Sequence, residues 1–97
     1  MNRYHRSRVD DNQPAIVQAF RALGWFVLHT HDLKNACDLI VVRNGRVLAI
    51  EVKDGSKPAS KRKLSAGEST FRDSWLANQG EWLLITSVDD VLTLPPG

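Results

Sequence analysis

A single cysteine in 97 residues excludes any internal disulfide framework. The fold must therefore be held by packing and hydrogen bonds. No apolar run reaches membrane-spanning length, and no signal-peptide pattern opens the chain. Together these absences point to a reducing cytoplasm. Internal repeats and low-complexity stretches are also missing, and no shift of composition marks a second domain. Net charge is small: 13 Lys and Arg against 11 Asp and Glu leave +2 at neutral pH. A total that low identifies no partner, so distribution has to be read instead.

What is present suits one folded domain. The chain is 42% apolar and 25% charged. A chain this short buries a smaller share of its surface than a large domain does, so a partner subunit would help it. Residues 1–9 lack apolar periodicity and read as a basic arm carrying Arg3, His5, Arg6 and Arg8. The domain proper is expected over 10–97. A second basic cluster, Lys57, Lys61, Arg62 and Lys63, falls between its two halves. Both clusters are candidates for contact with a phosphate backbone.

The chain is organised around Cys37 to Lys53. Two β-branched, apolar runs, Leu39-Ile40-Val41-Val42 and Val47-Leu48-Ala49-Ile50, flank Asn44-Gly45. Asn-Gly is the strongest short-range signal for a two-residue hairpin, because both central residues need positive φ. Partners across such a turn sum to 89: Arg43 with Arg46, Val42 with Val47, Ile40 with Ala49, Asp38 with Glu51. Asp38 and Glu51 thus oppose each other with Cβ atoms about 4.5–5.5 Å apart, and Lys53 shares their face. Opposed like charges destabilise a hairpin. A divalent cation between them reverses that sign, and hard cations such as Mg²⁺ take carboxylate oxygens. Two carboxylates, a metal and a lysine on one strand face suit the activation of water against a phosphodiester. The competing explanation is a solvated charged face at the end of a sheet.

The remaining segments supply a scaffold. Asp10-Asp11-Asn12 offers N-cap candidates, Pro14 suits a first turn, and Ala15, Ile16, Ala19, Phe20 and Leu23 recur at helical spacing. A helix is expected over 13–23, ended by Gly24. Trp25 to Leu28 reads as a short buried strand. His29-x-His31 beside Asp32 could bind a transition metal, but further ligands at suitable spacing are missing, and strand-end polarity explains it more simply. Cys37 has no basic neighbour in sequence to lower its pKa and reads as a small buried hydrophobe. Residues 54–60 form a loop. Ser65 and Glu68 match a capping box at the start of a helix over 66–78. Phe71, Trp75 and Leu76, with Leu64, are its expected inner face, and Gly80 its terminator. Glu81 to Thr86 is a fourth strand, followed by a short helical turn capped by Ser87. All three tryptophans are expected in the core.

The order helix, strand, strand, strand, helix, strand, with Asp38 on the second strand and Glu51-x-Lys53 on the third, resembles the PD-(D/E)xK nuclease superfamily. Within it the chain is similar to small stand-alone VRR-NUC proteins of phages and bacteria, from Asp10 onward. The resemblance implies an α/β, restriction-endonuclease-like core with a mixed central sheet flanked by helices. It implies catalytic roles for Asp38, Glu51 and Lys53. It also implies Mg²⁺ or Mn²⁺ bound by Asp38, Glu51 and the backbone carbonyl of Val52. Many members carry a Glu on the first helix; here Gln13 stands there, with Asp10 before it. Glu68 stands where members often carry Gln, and Cys37 replaces a common proline.

The leading expectation is a metal-dependent DNA endonuclease, acting on branched or Holliday-junction-like DNA as a homodimer, since two sites about a twofold axis nick two strands. A second reading is a catalytically weak or inactive nuclease-like module that binds nucleic acid. A third is an interaction protein presenting Trp75 and Trp82.

Overall fold

The computed structural model describes residues 9–96. Arg3, His5, Arg6 and Arg8 of the basic arm therefore lie outside the described residues. Helix α1 spans Gln13–Ala22, strand β1 Phe26–His29, β2 Leu39–Arg43, β3 Arg46–Val52, α2 Ala66–Ala77, β4 Glu81–Ile85 and α3 Val88–Leu92. A 3₁₀ turn at Ala59–Lys61 interrupts the loop before α2. The four strands form one mixed sheet in the order β1-β2-β3-β4, antiparallel except for the parallel β3–β4 pair. The parallel pair needs a crossover, and α2 provides it.

The hairpin has the expected register, from Arg43 opposite Arg46 to Leu39 opposite Ile50. Asn44 and Gly45 take φ of 49° and 81°, the left-handed pair that this turn requires. One face of the sheet packs on α1 and α3. Ile16, Val17 and Phe20 meet Val27, Leu39, Val41, Leu48, Ile50, Val52, Ile85 and Val91 in a single core. Burying one such large side chain is worth roughly 1.5–3 kcal/mol, so this cluster supplies the main driving force.

The other face carries α2 beside β4, with the Arg72 guanidinium 5.7 Å from the centre of the Trp82 ring. Here several expectations need correction. No α2 residue is fully buried; Phe71 and Trp75 are half-buried and Leu76 is exposed. Strand β1 is not buried throughout. It is an edge strand whose Val27 faces the core while Phe26 (65% exposed) and Leu28 (49%) face out. Of the tryptophans only Trp25 is buried; Trp75 and Trp82 are half-buried. The left-handed residue after α2 is Gln79, not Gly80. Gly80 is needed because a Cβ there would collide with the Trp75 ring.

Candidate functional site

Asp38 and Glu51 stand one step beyond the last hairpin pair, Leu39 with Ile50, so the register sets them opposite each other. Two bonds extend the ladder to them. The Asp38 N–H donates to the Ile50 carbonyl at 3.0 Å, and the Val52 N–H donates to Asp38 Oδ2 at 2.8 Å. Alternation keeps Asp38, Glu51 and Lys53 on the α2 face and turns Cys37 to the core. Cys37 is buried; its Sγ donates to the Leu39 carbonyl, and burial pushes the thiol pKa up, the reverse of a nucleophile's need.

Helix α2 completes the site. Ser65 Oγ accepts from the Glu68 N–H at 3.1 Å, and Glu68 Oε1 accepts from the Ser65 N–H at 2.8 Å. The same Glu68 oxygen accepts from Lys53 Nζ at 3.0 Å. One carboxylate thus caps the helix and holds the lysine. Sequence reasoning found the cap and missed the second role. The signal was the placement of a capping-box Glu after the third strand, which becomes legible only when the crossover brings the start of α2 beside Lys53. Asn12 is a second such residue. It sits at the N-cap of α1 but makes no capping bond. Its Nδ2 donates instead to the carbonyls of Lys53 at 3.2 Å and Thr86 at 3.1 Å, pinning the ends of β3 and β4 to α1.

These groups line a polar cavity of about 250 Å³ that includes Asp10, His31, Asp38, Glu51, Val52, Lys53 and Glu68. Glu51 is only 2% exposed. Burial, then the adjoining Asp38 and Glu68 carboxylates, push its pKa up to about 10. At neutral pH Glu51 therefore holds a proton. Lys53 is subject to competing effects. Burial alone would lower its pKa, but Glu68, Glu51 and Asp38 outweigh it and raise the value, so the side chain is a cation. Burial likewise opposes ionisation of Glu68, yet the Ser65 N–H and Lys53 hold its pKa below the usual range. Asp10 has its pKa raised, chiefly by burial, with Lys57 and Lys53 acting against the rise.

Of the two first-helix candidates, Asp10 lines this cavity; Gln13 is buried and lines a neighbouring one instead. Among the described residues no group of three or more His, Cys, Asp or Glu side chains is arranged to hold a metal ion. That includes the His29-x-His31 pair, whose rings meet edge to face 6.3 Å apart. The Asp38–Glu51 pair contributes two side chains, and Val52, whose carbonyl the resemblance adds as a third oxygen, lines the same cavity. Its donors are all hard oxygens, and a proton now relieves the repulsion that a cation would relieve. A small divalent cation fits that donor chemistry.

The second basic cluster is only partly available. Lys57, Lys61 and Lys63 are exposed, whereas Arg62 Nε donates to the Lys57 carbonyl at 2.8 Å and is half-buried. No helix is long and apolar enough to cross a membrane among the described residues. Compared with protein-family models, with curated proteins and with solved structures, the chain matches none.

Proposed function

We propose that the chain is a Mg²⁺- or Mn²⁺-dependent endodeoxyribonuclease of restriction-endonuclease-like fold that hydrolyses phosphodiester bonds. The observation that carries this reading is the convergence of buried Glu51, Asp38 and cationic Lys53 in one polar cavity. Asp38, Glu51 and the Val52 carbonyl would hold the metal. When bound, the metal supplies a water of lowered pKa and neutralises charge on the phosphate. Lys53, already protonated, is unsuited to take a proton from that water. It suits stabilising charge that develops on the phosphate, and Glu68 fixes where its ammonium stands. Lys57, Lys61 and Lys63 carry the DNA backbone past the site, with the arginines of the N-terminal arm as further contacts. Branched DNA is the substrate class, cut by a homodimer.

One observation favours an inactive binding module instead: the Lys53 ammonium is already paired with Glu68. Incubation with duplex, single-stranded and four-way-junction DNA, under Mg²⁺, Mn²⁺ or chelator, separates the two. Cleavage should need metal and should be lost in Asp38→Ala, Glu51→Ala and Lys53→Ala. Substantial cleavage by correctly folded Glu51→Ala protein would refute the assignment. Sedimentation giving an active monomer at micromolar concentration would remove the dimer.

A further inference from the structure

The chemistry above leaves His29, His31 and Gln13 without a task. All three line a second cavity, about 320 Å³, between α1 and the end of β1. His31 also lines the carboxylate cavity, so one imidazole forms a wall common to both. We propose that this second cavity is a nucleobase subsite, taking the base next to the phosphate that lies over Asp38 and Glu51. The proposal rests on the nuclease reading for the identity of that phosphate.

The walls have the composition a base requires. Pro14 and Val17 are apolar and remove the base from water. The His29 and His31 rings, set at 88° to each other, offer a π-face and an edge. Histidine is among the side chains on which splayed bases stack. Gln13 is 3% exposed and lines the same cavity. Glutamine presents a donor and an acceptor side by side, the pattern that pairs with a base edge. His31 Nδ1 is buried with no hydrogen-bond partner among the described residues. A base edge that reached this nitrogen would satisfy it while Nε2 keeps its contact with Asp32 Oδ1 at 3.4 Å. A strand passing over the carboxylates can therefore place one base on the far side of His31.

The test uses the full chain in chelator, so that no chemistry occurs. The His29 and His31 ring protons are followed by NMR while deoxyadenosine monophosphate is added, and inorganic phosphate in a parallel titration. Both rings should shift and saturate with the nucleotide and stay still with phosphate. His29→Ala, at an exposed position, should weaken nucleotide binding about tenfold, within the range a base–aromatic contact is worth. In metal-dependent cleavage, an abasic position beside the cut should cost wild type about tenfold and cost His29→Ala nothing further. Equal shifts with phosphate alone, or none with either, overturn the subsite. Cleavage that is insensitive to abasic positions, with unmoved rings, overturns the subsite and leaves the nuclease. Saturating nucleotide shifts without cleavage of any substrate overturn the nuclease reading and leave a nucleotide pocket.

Discussion

Glu51→Gln tests the electrostatics of the site before any DNA is added. The side chain is almost fully enclosed, and its pKa lies near 10 against an ordinary 4.5. An acid whose folded pKa exceeds its unfolded value binds the extra proton in the native state. Its contribution is fully present below the unfolded value and is lost as pH rises toward the folded one. Between those limits the loss is about 1.4 kcal/mol per pH unit. At neutral pH roughly 3 kcal/mol has gone, a large part of a small domain's stability. Glutamine keeps the shape and can still donate to Asp38 or Glu68, but it cannot ionise. In chelator, the stability advantage of Glu51→Gln over wild type should therefore grow by roughly 4 kcal/mol between about pH 5 and about pH 8. Denaturant melts across that range measure it. At neutral pH Mg²⁺ should reverse the order, because a ligand at a thousandfold excess over its Kd stabilises wild type by about 4.1 kcal/mol, more than the roughly 3 kcal/mol lost, and the variant has lost a ligand. The apparent Mg²⁺ affinity of wild type should also climb about tenfold per pH unit above neutrality, since the proton must leave before the metal binds. Parallel stability curves for the two proteins in chelator would refute the buried, proton-sharing carboxylate.

Further expectations follow from neighbouring residues. Asn12→Ala leaves the Lys53 and Thr86 carbonyls without their side-chain donor and should cost about 1–3 kcal/mol in denaturant melts, with cleavage impaired through the misplaced end of β3. Glu68→Gln preserves the capping box but removes the charge beside Lys53; melting should change little while kcat falls and KM holds, whereas Glu68→Ala should also lose about 1 kcal/mol of helix capping. Neutralising Lys61 and Lys63 should flatten the salt dependence of DNA binding by about two phosphate contacts, with Arg62 adding little because the Lys57 carbonyl already engages it; an unchanged slope in a salt titration would assign these lysines to solvent.

The hairpin was legible in the sequence because its determinants are local. Asn44-Gly45 fixes the turn, the turn fixes the register, and period-two alternation then puts Asp38, Glu51 and Lys53 on one face. The caps at Ser65 and Ser87 and the left-handed Gly24 were legible for the same reason. Burial was not. Phe26, Leu28 and Leu76 are as apolar as core residues, yet whether they meet a neighbour depends on strand order, which left β1 on an edge and α2 lying shallowly across β4. Asn12 looked like a cap because its neighbours in sequence make it one; β3 and β4 arriving beside α1 offered it two better acceptors. Gln13 opens α1 while Asp10 lies in the segment before it, and the two went to different cavities. The pairing of Glu68 with Lys53, and the proton held on Glu51, needed the crossover that brings the start of α2 to the carboxylates and the burial of Glu51. Local chemistry, then, set which residues face the same way. Only the tertiary structure set which of them are dry, and burial is what turns a row of charges into a site.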